Sequence, residues 1–168
     1  MLDRILIRET TQDDQMRVGA LLSASYSELM CESYEAAVLE AALPLMTHAN
    51  PALLSSGTYY LSESVDGDVT GCGGWTLKRP GSGEIVPELA HIRHFATHPD
   101  WIGKGIGRAI YALCEKKARL AGARHFECYA SLNAEGFYSS LGFKPVKRIV
   151  VPMATRVIFP SILMKRAI

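Results

Sequence analysis

One segment limits the folds open to this chain more than any other. An apolar, strand-like run from Leu89 to Thr97 leads into His98-Pro99-Asp100-Trp101-Ile102-Gly103-Lys104-Gly105-Ile106-Gly107-Arg108-Ala109-Ile110. Glycine alternates with other residues at 103, 105 and 107, and the loop opens straight into a basic, helix-periodic stretch. Without Cβ atoms, backbone N–H groups can converge, and the helix adds its positive N-terminal end to the same point. Strand, glycine loop and helix in that order make a cradle for a phosphate or pyrophosphate.

The chain of 168 residues suits a single domain, residues 1–168. A domain of that length buries roughly two-thirds of its unfolded surface. Its formal net charge of +1 argues against a general nucleic-acid binder, whose domain is usually basic. No apolar run reaches the roughly 18 residues of a membrane span, and Met1-Leu2-Asp3-Arg4 does not read as a signal peptide. The expectation is a cytoplasmic protein without membrane or nucleic-acid partners. Cys31, Cys72, Cys114 and Cys128 form no C-x-x-C pair and read as reduced, buried thiols. His91, His94 and His98 cluster, but without the Cys or carboxylate spacing of a metal site, so no metal is expected.

Arg4 to Arg8 alternates as a first strand. Thr10 or Thr11 then caps a helix with Asp13 and Asp14 in its first turn, its inner face Val18, Leu21, Leu22, Ser25 and Leu29. A second helix starts after Ser33, buries Ala37, Val38, Ala41 and Ala42, and ends near Pro44. Asn50-Pro51 and Ser55-Ser56-Gly57 mark loop. Two strand runs, Thr58 to Ser64 and Val69 to Lys78, are joined through Asp66-Gly67, a hairpin signal. Gly71, Gly73 and Gly74 suggest a bulge or a close backbone approach.

A loop from Arg79 to Pro87, a strand from Glu88 to Thr97 and a helix from Lys104 to about Ala121 follow. That helix would bury Ile106, Ile110, Leu113, Cys114 and Ala121 and be capped by Gly122. Arg124 to Ala130 reads as a strand and Ala134 to Leu141 as a short helix stopped by Gly142. Val146 to Met153 and Arg156 to Met164 pair around Pro152-Met153-Ala154-Thr155, with Pro160 needing an edge or bulge. The order β-α-α-β-β-β-α-β-α-β-β predicts one mixed α/β sheet flanked by helices.

Two widespread phosphate motifs fail residue by residue. A P-loop needs Gly-Lys followed by Ser or Thr, but Gly103-Lys104 is followed by Gly105. The fingerprint G-x-G-x-x-G finds Arg108 or Ile110 where its third glycine belongs. Glu127 lies about twenty residues on, where a ribose-binding acid could sit, but no parallel βαβαβ series precedes it.

The pattern that does fit resembles the GCN5-related N-acetyltransferase (GNAT) family, most strongly from Ala90 to Val146. That family's acyl-CoA loop reads Arg/Gln-x-x-Gly-x-Gly/Ala after a strand ending in Pro, and Gly105 and Gly107 fill the glycine places after Pro99. A second family block stands as Ala134-Glu135-Gly136-Phe137-Tyr138-Ser139-Ser140-Leu141-Gly142-Phe143. Ile102 departs from the usual Arg or Gln, leaving the pyrophosphate to backbone N–H groups. Ser131 stands seven residues before Tyr138 where many members carry Asn, with Asn133 nearby.

The resemblance implies a mostly antiparallel central sheet and acetyl-CoA, or another short acyl-CoA, as donor. Its arm would lie along Phe95, Ala96 and Thr97, with Ser131, Asn133 and Tyr138 beside it. Its pyrophosphate would rest on the N–H groups of Ile102, Gly103, Lys104, Gly105, Ile106, Gly107 and Arg108. Lys116, Lys117 and Arg119 are basic too, but read better as a solvated helix face.

An acceptor amine with a pKa near ~10.4 must lose a proton before it can attack a thioester. Tyr138 stands at the family's general-acid position. Its reference pKa of ~10 makes full donation to a thiolate uphill by roughly 2 kcal/mol, so a hydrogen bond is its natural contribution. His91 stands where many members carry a basic Glu, and a histidine that merely fills the strand face is equally consistent. Glu88 and Glu84 are carboxylate rivals. A backbone N–H near Phe95 would polarise the thioester carbonyl, and attack would be direct, without an acyl-enzyme.

The acceptor site is expected between the first two helices, the Arg79–Pro87 loop and the C-terminal hairpin. Tyr26, Met30, Tyr34 and Trp75 are candidates for its wall. A small-molecule amine is favoured over a protein N-terminus or lysine. A non-catalytic acyl-CoA-binding or regulatory module is the alternative of a different class. Oligomeric state stays open, a homodimer included.

Overall fold

The structure, a computed structural model, describes residues 4–154 and 156–168; the expected N-terminal tetrad lies mostly outside these residues, and so does Thr155 of the expected turn. β1 (Ile5–Glu9), β2 (Tyr59–Ser64), β3 (Val69–Thr76), β4 (Leu89–Thr97), β5 (His125–Ser131), β6 (Lys144–Ala154) and β7 (Val157–Ala167) form one sheet in the order β1-β2-β3-β4-β5-β7-β6. Only β4 and β5 run parallel. This is the mixed, mostly antiparallel sheet that the sequence predicts.

Helices cover both faces. α1 (Gln15–Leu29), α2 (Ala36–Met46) and the single turn α3 (Pro51–Leu54) close over one, where Val18, Leu22, Leu39, Leu54, Tyr59, Leu61 and Phe159 form a core. α4 (Ile106–Leu120) and α5 (Glu135–Ser140) cover the other, on a core that includes Ile110, Tyr111, Phe126, Phe143 and Met164. Two facing cores around a sheet are how a chain of this length buries its apolar periodicities.

Several local expectations change. Asn50-Pro51 begins α3 rather than a loop: Asn50 Oδ1 accepts from Ala52 N at 3.0 Å, and Pro51 occupies the first turn, where its missing N–H costs nothing. α2 runs through Pro44 to Met46, and Thr47 N still reaches Leu43 O at 3.0 Å. Its buried stripe is Leu39 and Ala42, while Ala37 and Ala41 face solvent. α1 begins after a 3-10 turn, Gln12–Asp14, in which Asp14 Oδ2 accepts from Thr11 N. In α4 the buried residues include Tyr111 and Ala118, and Ala121 lies outside beside Gly122, whose φ of 95° closes the helix.

Both C-terminal strands are longer than expected. Pro160 fits inside β7 because β5–β7 pairing stops at Ser131–Ser161, leaving β7 one neighbour, β6, at that point.

Candidate active site

The parallel pair β4–β5 holds together for only three steps, Leu89–His125, Ala90–Phe126 and His91–Glu127. Beyond His91 the two strands part. On its other side β4 carries a bulge: Cys72 faces Ala96 and Gly74 faces Arg93, so His94 and Phe95 together oppose Gly73. His94 takes the uncommon φ of 42°, and a Cβ on Gly73 would lie 2.6 Å from the Phe95 ring. Gly73 is therefore what lets the bulge close. Tyr59 Oη donates to the His94 carbonyl at 2.6 Å and Tyr26 Oη to the Phe95 carbonyl at 3.3 Å, fixing the step from the α1 side.

Two cavities open where the strands part. The larger, of about 590 Å³, runs from Phe95, Ala96 and Thr97 to the glycine loop and the start of α4. Gly103 and Gly105 hold φ values of 76° and 80°, turning the chain so that α4 begins at the cavity wall. Gly107 lies inside α4, where a Cβ would meet the Phe137 ring at 2.9 Å; this bare position lets α4 and α5 approach. Ile102, Gly103, Gly105, Ile106, Gly107, Arg108, Ser131, Asn133 and Tyr138 all line this cavity. Lys104 does not: its ammonium sits over the Trp101 ring, 4.7 Å from the centroid, an electrostatic attraction that turns it aside. Arg108 Nη2 reaches Ser140 O at 3.3 Å and Oγ at 3.2 Å, bracing α4 against α5.

The smaller cavity, of about 360 Å³, lies between the diverging strands and under the first helices. β4 contributes Ile92, Arg93, His94 and Phe95, and β5 contributes Cys128 to Ser131. Tyr26 of α1 and Met30 just after it, Leu45 and Met46 of α2, Pro80 and Gly81, and Val151, Met153, Phe159 and Ser161 of the hairpin line it too. These are the chain segments expected to surround an acceptor. Tyr34 and Trp75 lie elsewhere. Tyr34 donates to Pro160 O at 2.6 Å, accepts from Leu132 N at 2.8 Å and stacks on Phe159; Trp75 is buried with its indole N–H toward Tyr60 Oη.

Phe95, Ser131, Ala134 and Tyr138 line both cavities, so the two spaces meet there. Tyr138 is 5% exposed and packs edge-on against Phe95, Phe137 and Phe143. Burial, then the neighbouring Cys128 thiol, pushes its phenol well above 10, so it remains a protonated donor. Burial likewise drives Cys128 up to about 12, too high for a thiolate nucleophile.

None of the three sequence candidates for the base, His91, Glu88 and Glu84, lines either cavity. His91 belongs to the last intact β4–β5 pair, so no gap exists where it stands, and it is 2% exposed. Its Nδ1 is 3.8 Å from Glu127 Oε1 and its Nε2 has no hydrogen-bond partner. Desolvation lowers its pKa more than Glu127 raises it, keeping the ring neutral. Glu127 is held instead by Lys165 at 3.4 Å and Arg79 at 3.6 Å, with Arg79 also paired to Glu84. Glu88 is an exposed turn residue with φ 65°, its carbonyl accepting from Arg124 N and His125 N.

His98 Nδ1 caps the turn below it by accepting from Asp100 N. Among the described residues no His, Cys, Asp and Glu side chains gather as a metal group.

Sequence reasoning missed two residues of the smaller cavity, Arg93 and His94. Desolvation by surrounding protein, then the Arg93 charge, lowers the His94 pKa to about 4. The ring keeps an accessible face, so water offsets part of that effect, and in either case His94 is neutral at pH 7. The glycines opposite in β3 were the only sign of the bulge that turns it.

A strand-edge bulge, a splayed parallel pair and a glycine loop at a helix start come together at these two cavities. Residues 64–153 match the family described as "Acetyltransferase (GNAT) domain". Among solved structures, a GCN5-related N-acetyltransferase from Rhodopseudomonas palustris superposes with a TM-score of 0.78 at 20% identity, covering 99% of this chain and 97% of that one. PaiA N-acetyltransferase from Thermoplasma acidophilum, in complex with coenzyme A, gives 0.71 at 17% identity over 98% and 99%. A GCN5-related N-acetyltransferase from Kribbella flavida gives 0.65 at 20% identity, with both chains covered completely (100%). The chain belongs to the GNAT family and is an acetyl-CoA-dependent acyltransferase.

Proposed function

We propose that this enzyme acetylates the amine of a small molecule, the donor lying in the larger cavity and the acceptor in the smaller. The observation that carries this reading is the meeting of the two cavities at Phe95, Ser131 and Tyr138. The smaller space is walled by helices, loop and hairpin together, which suits a molecule of modest size better than a protein tail.

The larger cavity fits a donor with an anionic middle. Backbone N–H groups around Gly103 to Gly107 and the α4 N-terminus would hold its pyrophosphate. The side chain of Ile102 adds no charge, and Lys104 is turned toward Trp101, so the backbone carries this task. Acetyl-CoA supplies the acetyl group as an activated thioester. The β4 bulge takes one residue out of the strand ladder, and an N–H freed there would polarise the thioester carbonyl.

Tyr138 would donate a hydrogen bond to the sulfur as negative charge develops on it. Its raised pKa makes complete proton transfer costly, so stabilisation by the hydrogen bond is its contribution. His94 replaces His91 as the proton acceptor. It is a weak base, but the attacking nitrogen becomes far more acidic as the new C–N bond forms. A neutral imidazole in the wall, directly or through one water, then suffices.

The test is thiol release from acetyl-CoA with a panel of small amines and lysine-bearing peptides, beside calorimetry of acetyl-CoA binding. CoA release with a small amine is expected. Release with peptides alone would overturn the acceptor class, and binding without release by any amine would overturn the transfer mechanism.

A further inference from the structure

The smaller cavity has an unbalanced charge. Arg93 lines it and makes one side-chain hydrogen bond, from Nη1 to Thr76 Oγ1 at 3.2 Å. Among the described residues no carboxylate pairs with it, although Arg8, Arg17, Arg79, Arg119 and Arg166 all have carboxylate partners. Nor does any Asp or Glu line the cavity. Glu127 and Glu84, the nearby acids, are already matched by Lys165 and Arg79. Arg93 is half-buried, so water compensates its guanidinium only in part.

Such a cavity disfavours a polycation and offers no carboxylate to an ammonium group. A planar guanidinium with free N–H groups matches a carboxylate, which can take two of them side by side. Beside the polar His94, Tyr129, Ser131 and Ser161, one side of the wall is apolar: Met30, Leu45, Met46, Val151, Met153 and Phe159. We infer that the acceptor is an amino acid with an apolar side chain, its carboxylate on Arg93, its side chain against the α2 and hairpin methionines, and its amine toward His94 and Phe95. This rests on the acceptor reading above and narrows it. The positive charge also favours the uncharged amine over ammonium, which is the form that attacks.

Matched pairs test it: methionine against its methyl ester and phenylalanine against its methyl ester, each with an amine but only the first with a carboxylate. The free amino acid should show kcat/KM at least about tenfold above its ester, the low end for a charge-assisted bond. Arg93→Gln should reduce that ratio below about threefold, leaving the specificity on the lost charge pair. Esters preferred over acids, or a ratio that Arg93→Gln leaves unchanged, would overturn the inference while amine acetylation itself stands.

A second readout needs no turnover. N-acetylmethionine and its methyl ester are titrated calorimetrically into CoA-loaded protein. Tighter binding of the acid, lost in Arg93→Gln, is expected; equal binding of acid and ester, or no binding of either, refutes the carboxylate site. Failure of the acetyl-transfer reading looks different, as acetyl-CoA binding with no CoA released by any amine.

Discussion

At the scale of the residue, this protein separates histidines that a sequence treats alike. His91 and His94 are three positions apart on one strand, yet one sits in the last intact strand pair and the other on a bulge at a cavity wall. Substituting each tests the assignment. His94→Gln should lower kcat by about tenfold or more and alter the acid limb of the rate profile. His91→Gln should leave the pH profile of kcat/KM where it was; a shift of that limb would return the base to His91. Tyr138→Phe should lower kcat roughly tenfold to hundredfold, since it removes one donor at a developing charge. Acetyl-CoA affinity, measured by calorimetry, should stay within about twofold, because the phenol serves the transition state more than the ground state.

Elements obey a different logic, because in the proposed donor site the backbone would do the binding. The loop into α4 depends on left-handed conformations at Gly103 and Gly105, and nothing crowds a Cβ at Gly103. Gly103→Ala should therefore act through strain of about 1–2 kcal/mol rather than through a clash. Thermal melts should show that modest loss, and acetyl-CoA binding should weaken by more than the melt implies as the N–H groups lose alignment. This loop was readable in the sequence since glycine spacing and helix periodicity are local properties. The same holds for the Asp66-Gly67 hairpin and for Tyr138, whose motif sets its place.

What escaped sequence reading was created between elements. The bulge at His94 exists because β3 offers Gly73 opposite Phe95, and no periodicity in β4 announces it. The emptiness around Arg93 is likewise a relation among strands, loop and helices. Spacing along a strand likewise could not tell that His91 stands in the last intact β4–β5 pair, since that depends on where its neighbour departs.

Across the whole molecule, charge is placed to tie early elements to the sheet. Arg8 of β1 holds Asp14 before α1 at 2.8 Å and Glu63 of β2 at 2.7 Å, and Arg17 adds a second contact to Glu63. The hydrogen bond from Arg8 keeps the Asp14 carboxyl below its ordinary range. A depressed carboxylate stabilises the fold fully above its unfolded pKa of ~3.9 and loses that contribution as pH falls through the folded value. Asp14→Asn should thus cost roughly 1–2 kcal/mol, discounted for the partly exposed arginine, at any pH above about 5. Denaturation curves should converge with wild type below about pH 4. A separate decline is expected from about pH 6.5 downward, because buried His91, with its lowered pKa, takes a proton more readily in the unfolded chain. That decline should persist in Asp14→Asn.

The strand order has a consequence for biosynthesis. β7 enters between β5 and β6 although it follows both in the chain. A nascent chain that has released only as far as β6 exposes one unsatisfied edge of β5 and lacks Phe159 and Ser161 from the smaller cavity. Ribosomes add on the order of 5–20 residues per second, so the 11 residues of β7 keep this edge open for roughly 0.5–2 seconds. During that interval the wall of the larger cavity can assemble while that of the smaller cannot. The smaller cavity is thus completed in one late step, when a single strand slides home.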